Sequence, residues 1–330
     1  MQKILTLNDG NIGVDPAARV KESDIQHQAP FQKSTYRSRF GGLWPDLSNA
    51  IEVVAGKSMH GLISTAEADM LRSWILNGFV IIENAVPHEV IDRVLDDTER
   101  VWAGAHPSVF VEHFVNGQIQ LSPARPDLRT APGKLLDLYA VSEAARDAIF
   151  SGPIRRFLRL IFERPPLAFQ SLSFMAGTGQ PIHQDTAYVV VSSPMEFAAS
   201  WIALEDIRPT TGELEYYEGS HKMDEFLFQG KSKSMSPGDP DHSRFLQSLH
   251  EQAQRMGLKR TRFRPKKGDA LIWSADLAHG DSQEREPGSS RLSIVTHYCP
   301  AELEPAYFAG ARYSGKLRYM QDCYYAYPLR

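Results

Sequence analysis

Apolar residues in this chain follow two different rhythms, with the change near Pro166. Upstream the spacing is helical. Ser64-Thr65-Ala66-Glu67 has the form of a capping box, its glutamate placed to reach back to the cap amide. Met70, Leu71, Trp74 and Ile75 then recur at helical intervals up to Gly78, where a helix stops. The apolar run at 79–86 predicts a strand. Pro87 suits a first helical position, and Val90, Ile91, Val94, Leu95, Val101 and Trp102 mark a second amphipathic helix. Two more helices are expected at about 142–150 and 153–163. Downstream, 167–175, 182–191, 197–207 and 213–217 read as short strands between Gly, Pro, Ser and Thr clusters, and the same texture returns at 269–273 and 291–298.

A polar segment at 221–258 interrupts the strand series and is expected to be a lid-like insertion. Residues 1–60 show no sustained period and are expected to form an N-terminal arm, leaving 61–330 as a single domain. There is no internal repeat. Helices followed by a run of short strands predict an α+β protein with a mainly β core. The expected architecture is a double-sheet jelly roll with the N-terminal helices packed on one sheet.

Composition narrows the function classes. The 330 residues are 42% hydrophobic and 23% charged, enough for a sizeable core in a globular protein. The formal net charge of -4 gives no overall push toward nucleic acid or anionic membrane. Two cysteines, Cys299 and Cys323, make no disulfide framework and exclude a thiolate-rich metal site, so a reducing, cytoplasmic setting is expected. The first residues lack the charged and apolar regions of a signal peptide. The longest apolar stretch, 74–86, is broken by Asn77, Gly78, Glu83 and Asn84 and is too short to span a bilayer.

Candidate chemistry begins at His183-Gln184-Asp185. On a strand, residues i and i+2 share a face, so one imidazole and one carboxylate converge. A third ligand must come from elsewhere, and His279, behind the apolar strand at 269–273, is the best placed. Two histidines and one carboxylate form the facial triad of non-haem Fe(II) oxygenases, which leaves positions open for cosubstrate and O2. The plainer alternative is that these are hydrogen-bonded histidines, since His279-Gly280-Asp281 has the same spacing and the chain holds eleven histidines. Arg291 and Ser293 share one face at the start of the next strand. A guanidinium fork beside a hydroxyl suits the distal carboxylate of 2-oxoglutarate, against the commoner alternative of a salt bridge at a sheet edge.

With these residues in view, the chain resembles the phytanoyl-CoA dioxygenase family over about residues 70–300. The run GFVIIENAVPHEVID looks like the family's opening strand and helix, and His183-Gln184-Asp185 matches its metal motif. The run WIALEDIRPTTGELEYYEGSHK at 201–222 looks like the family's W-x-A-L-x-D, G-x-L and G-S-H sequence, which is long and specific. The resemblance implies a double-stranded β-helix that uses Fe(II), 2-oxoglutarate and O2, with ascorbate as a candidate reductant. It assigns His183, Asp185 and His279 to iron and Arg291 to the 2-oxoglutarate carboxylate. Trp201, Lys134 and Gln170 resemble positions that line or contact the cosubstrate, with core packing as the alternative for Trp201. Family members often carry a serine two residues after the distal histidine. Here that place is Asp281, so either Ser282 or Ser293 is expected to supply the hydroxyl. Related halogenases have a small residue where Asp185 stands, so hydroxylation is the default outcome.

Tyr188 and Gln184 are expected to face a small organic substrate, with the 221–258 insertion closing over it. The basic run at 259–267 puts Arg260, Arg262 and Arg264 on one face. A solvated face balanced by acidic neighbours is favoured there over a phosphate or nucleic-acid site, and no nucleic-acid or membrane partner is expected. Three rival readings remain: a cupin-type metalloenzyme that does not use 2-oxoglutarate, a non-catalytic relative kept as a binding module, and a nucleic-acid demethylase supported only by the basic run.

Overall fold

The computed structural model describes residues 35–115, 118–129, 133–309 and 313–328. Most of the expected N-terminal arm, residues 1–34, lies outside the described residues. The described part of that arm is not all irregular. A short helix, α1 (Ala50–Met59), packs beside the first helix expected from the sequence, α2 (Thr65–Asn77). Only Ala50 and Val54 of α1 are buried, too few to mark a period in the sequence.

The capping box at Ser64 forms as expected: its hydroxyl accepts from Glu67 N and the Glu67 carboxylate accepts from Ser64 N. Gly78 ends α2 in the left-handed region at φ 85°, where a side chain would be strained. After β1 (Phe79–Ile82), Pro87 is the N-cap of α3 (His88–Trp102), one place earlier than predicted. A hairpin absent from the sequence reading, β2 (Phe110–Val115) and β3 (Gln118–Pro123), pairs with β4 (Gly133–Leu136). Helices α4 (Glu143–Ile149) and α5 (Gly152–Phe162) match the two expected.

The later strands are β5 (Pro166–Phe174), β6 (Ala198–Ala203), β7 (Leu214–Tyr217), β8 (Arg260–Phe263), β9 (Ala270–Ser274), β10 (His279–Asp281) and β11 (Ser293–Pro300). They build two antiparallel sheets. The large one runs β1-β9-β6-β11-β5-β4-β2-β3 and the small one β10-β7-β8. Two tail strands unforeseen from the sequence, β12 (Tyr313–Met320) and β13 (Cys323–Pro328), pair with each other, and β13 adds to β5 in parallel. This is a jelly roll, a double-stranded β-helix, with helices laid on one sheet.

Strand alternation decides which residues face which layer. In β6, Ala198 and Ile202 pack toward the helices, while Ala199, Trp201 and Ala203 pack toward the small sheet. In β9, Ile272 goes with the first set and Leu271 and Trp273 with the second. The helix-facing side is a continuous apolar core holding Trp74, Phe157 and Tyr298. The space between the sheets is apolar at one end and opens at the other into a cavity.

The 221–258 insertion is not wholly irregular. It carries α6 (His242–Met256), whose Phe245, Leu249 and Ala253 pack with Phe228 against Ile182, Ala187 and Ala278. Among the described residues no helix is long and apolar enough to cross a membrane.

Candidate metal and cosubstrate site

The cavity between the sheets has a volume of about 170 Å³ and is lined by His183, Asp185, His279, Trp201, Arg291 and His297, among others. The segment bearing the first two differs from expectation. Residues 182–191 are not a strand. His183 makes a single two-way backbone bridge with His279 (2.8 and 2.9 Å), and the chain then turns through a 3-10 helix at Asp185–Ala187. Gln184 between them is extended (φ -111°, ψ 136°), so His183 and Asp185 still fall on one side. The residue after His279 has to be glycine. A Cβ on Gly280 would lie 2.8 Å from Gln180 O and Ile182 N, in the backbone that crosses it.

Both imidazoles are oriented by their own chain. His183 Nδ1 lies 2.9 Å from Pro181 O and His279 Nδ1 lies 2.8 Å from Leu277 O. A ring whose Nδ1–H donates to a carbonyl presents the Nε2 lone pair outward, the form a metal takes. Those Nε2 atoms are 3.6 and 3.7 Å from the same oxygen, Asp185 Oδ1. The other oxygen, Oδ2, accepts a hydrogen bond from Trp273 Nε1 at 2.8 Å, which sets the carboxylate plane. One donor atom from each of the three residues lies within 4.8 Å of the others, and all three residues are buried.

The electrostatics suit a cation. Burial pushes His279 down to about 4, with the neighbouring His183 acting in the same direction against the Asp185 charge, so the ring is a neutral ligand at neutral pH. Burial raises the Asp185 carboxyl, but the surrounding imidazoles of His279, His183 and His297 outweigh it and hold it well below the usual carboxylate range. An ionised carboxylate sealed from water is costly to bury without a compensating positive charge. Gln180 places its amide nitrogen 3.2 Å from His183 Nε2, on the lone pair that a cation would take.

Around this centre the cavity wall carries buried polar atoms without a hydrogen-bond partner: Trp201 Nε1, Arg291 Nε and both ring nitrogens of His297; Ser293 Oγ, on the β11 face of Val295 and His297, is unpartnered as well. Buried polar atoms in proteins are overwhelmingly satisfied, so a cluster of exceptions on one cavity points to a polar ligand. Donors from a guanidinium, an indole and a hydroxyl fit a carboxylate-bearing molecule. The residues present therefore fit both iron and an oxo acid.

The sequence-predicted residues divide as follows. Lys134 and Gln170 line the cavity, with Lys134 Nζ 3.0 Å from Glu112 Oε1. Trp201 is both cavity wall and core, packed edge-on against Phe263 at 5.8 Å. Arg291 lies just ahead of β11 rather than in it. It is 2% exposed and donates to Asp281 Oδ1 (2.5 Å) and Gly212 O (2.8 Å). Ser293 opens β11 on the face of Val295 and His297, and is not among the residues lining the cavity. Ser282 does not reach the cavity, and its Oγ accepts from Glu284 N. Gln184 is also corrected: it is buried away from the cavity, its amide donating to Asp276 O at 2.8 Å. Tyr188 does line it, standing edge-on to His183 at 5.3 Å with its hydroxyl 2.7 Å from His242 Nε2 of the insertion.

Two residues were missed. His297 sits in β11 with Nε2 3.5 Å from Asp185 Oδ2, opposite Gln170 in the register. Its signal was available, because Arg291, Ser293, Val295 and His297 alternate by two along one strand face. Trp273, the donor to Asp185, had no such signal, being 88 residues away in the chain. Lys233 of the insertion, 4% exposed, is likewise tied by an ion pair to Asp276, which also accepts from the Thr186 hydroxyl next to Asp185.

A family profile described as phytanoyl-CoA dioxygenase (PhyH) matches residues 74–291, well over half the chain. The human protein "Phytanoyl-CoA dioxygenase, peroxisomal" is 23% identical over 242 residues. That alignment takes in 68% of this chain and 66% of the human protein, just under two thirds of its length. Among solved structures, the epimerase SnoN, crystallised with Fe3+, alpha-ketoglutarate and nogalamycin RO, superposes with a TM-score of 0.57. It is 15% identical, over 79% of this chain and 98% of that one. EctD from S. alaskensis, crystallised with 2-oxoglutarate and 5-hydroxyectoine, gives 0.53 at 18% identity, over 72% and 76% of the two chains. At such identities these structures speak for the jelly-roll fold alone.

Proposed function

The chain belongs to the phytanoyl-CoA dioxygenase (PhyH) family, and on that premise we propose that it is an Fe(II)- and 2-oxoglutarate-dependent oxygenase that hydroxylates an unactivated C–H bond of a small organic molecule. The observation that carries this reading is the convergence of His183, Asp185 and His279 on one buried point, beside a cavity wall rich in unpartnered donors.

His183 Nε2, Asp185 Oδ1 and His279 Nε2 would hold iron. When bound, iron with 2-oxoglutarate and O2 supplies an oxidant, through decarboxylation of the oxo acid to succinate and CO2, that attacks a C–H bond. The protein's own part is to bind, orient and exclude water. Trp273 fixes the Asp185 carboxylate, and the Nδ1 hydrogen bonds fix both rings. Arg291, Ser293 and Trp201 offer donors to the far end of the oxo acid. Tyr188 lines the cavity and is partly open to solvent. Its phenol is pushed up to about 12 by burial and by the Asp185 charge, so it stays protonated as a donor.

A cavity of about 170 Å³ favours a small substrate. The basic run supports no nucleic-acid partner. Arg260 and Arg262 pair with Glu215, Arg262 also with Glu284, Arg264 with Glu213, and Lys259 with Glu218. Two free, buried cysteines support a reducing, cytoplasmic setting.

The test is anaerobic titration of the apo protein with Fe(II) and then 2-oxoglutarate, following the weak visible charge-transfer band, with Asp185→Ala and Arg291→Ala in parallel. A band in the wild type, lost in Asp185→Ala together with iron retention and turnover, and weakened in Arg291→Ala, is the expected result. Bound iron without a band would replace this reading with a jelly-roll metalloenzyme that does not use 2-oxoglutarate.

A further inference from the structure

We propose that Asp281 is a specificity-determining residue for the cosubstrate: by holding Arg291 in a buried ion pair, it lowers affinity for 2-oxoglutarate and opens the site to 2-oxo acids whose far end is uncharged. This rests on the cosubstrate reading above.

The pair is closed within the protein. Arg291 and Asp281 are 2% and 6% exposed, and Arg291 Nη1 donates to Asp281 Oδ1 at 2.5 Å. Asp281 cannot swing aside to release the guanidinium, because its second oxygen is pinned by three donors. These are Thr178 N (2.8 Å), Thr178 Oγ1 (2.9 Å) and Gly179 N (3.0 Å). Its backbone is equally fixed, since Gly280 leaves no room for a Cβ against the 180–182 segment. The other cation on the cavity wall, Lys134, faces Glu112 at 3.0 Å. Neither cation therefore brings an uncompensated charge to the cavity.

The chemical consequence follows from what a guanidinium offers. It has five N–H donors in a rigid fork, and here Nη1 serves Asp281 and Gly212 O while Nε is buried without a partner. Donors remain for an oxygen on the ligand's far end. What is missing is net charge. The far carboxylate of 2-oxoglutarate would be the second carboxylate on one guanidinium, in a buried place where like charges repel with little screening. The flanking wall suits an alkyl end. The guanidinium lies near the rings of Phe174 (5.6 Å) and Trp201 (6.0 Å), and Leu214 and Val295 line the same cavity.

The experiment measures binding without turnover. The full-length protein is loaded with Fe(II) under anaerobic conditions. Calorimetric titration then gives dissociation constants for 2-oxoglutarate and for 2-oxopentanoate, which ends in a methyl group where 2-oxoglutarate has its far carboxylate. The wild type is expected to prefer 2-oxoglutarate by less than about tenfold, a gap of about 1.4 kcal/mol. Asp281→Ser and the isosteric Asp281→Asn should each tighten 2-oxoglutarate by about tenfold or more and leave 2-oxopentanoate within about twofold. A wild-type preference of about a hundredfold or more overturns the proposal while leaving the oxygenase reading intact. So does an unchanged ratio in variants that still bind Fe(II). If neither variant folds, the wild-type ratio alone decides. Iron binding with no affinity for either oxo acid overturns the cosubstrate reading and this proposal together.

Discussion

Strand β8 and the cavity between the sheets both concentrate charged and polar side chains, yet they treat them in opposite ways. Along β8 and the residue after it, every arginine meets a carboxylate, with Glu215 shared by Arg260 and Arg262. Glu213 and Glu215 are fully buried beneath arginines that remain partly exposed. In the cavity, His297 has no hydrogen-bond partner on either nitrogen, and Trp201 Nε1 and Arg291 Nε share that state. Both regions could be mistaken for a binding site on charge content alone. The difference teaches that unsatisfied burial, not charge density, marks the place where a ligand completes the structure.

Variants that remove cavity donors should therefore cost function and spare stability, whereas variants on β8 should do the reverse. The largest effect is expected from Trp273→Phe, which keeps a ring against His279 but withdraws the donor from Asp185 Oδ2. Removing such an outer partner costs about 10- to 100-fold in metal affinity. Iron affinity measured by competition with a chelator checks it. His297→Phe sharpens the contrast further. It replaces a buried imidazole that makes no hydrogen bond, its Nε2 3.5 Å from Asp185 Oδ2, with a ring of similar shape, so the apo protein should melt at much the same temperature. Turnover should nonetheless fall by about tenfold or more, as expected where a polar group serves function at the expense of stability. A loss of both, or of neither, would remove His297 from the site.

Just past β8, Arg264→Gln leaves Glu213 buried without its ion pair. The expected cost is about 1–3 kcal/mol of stability, read by denaturant unfolding, with iron affinity unchanged. A matching loss of iron affinity would erase the distinction between the two regions.

The smallest effect is a slope. His221, at the start of the insertion, is pushed down to about 4 by its burial, with Lys222 acting in the same direction. The unfolded chain takes up that proton near 6.5. Stability that is fully present above pH 6.5 is therefore lost as the pH falls toward 4. Thermal melts of the metal-free protein across that window should show the fall, and His221→Gln should flatten it.

Much of this was legible in the sequence for physical reasons that can be named. The capping box at Ser64, the period of α3 and the strand texture after Pro166 are local signals, set by neighbours a few residues apart. His183 and Asp185 were legible because one extended residue is enough to bring them together. The 182–191 segment misled because an apolar alternating run reads as a strand, while the fold gives it a single bridge and then a turn. Gln184 misled for the same reason, since its direction follows from the hydrogen bond to Asp276 O and not from sequence position. The tail strands β12 and β13 and the hairpin β2–β3 carried too little apolar alternation to announce themselves, and they are held by pairing with β5 and β4.

By itself, then, the sequence determined the two-part architecture, the jelly-roll class, and the identities of His183, Asp185, His279 and Arg291. The architecture, His183 and Asp185 follow from periods, caps and one short spacing that a chain carries wherever it folds, whereas His279 and Arg291 were picked out by their order in the pattern the chain resembles. Tertiary structure alone decided the partnerships: Trp273 on Asp185, His297 beside it, Lys233 on Asp276, and Asp281 across from Arg291. The reason is that a buried hydrogen bond or ion pair depends on distances of a few ångströms between strands and loops that lie far apart along the chain, and only sheet register fixes those distances.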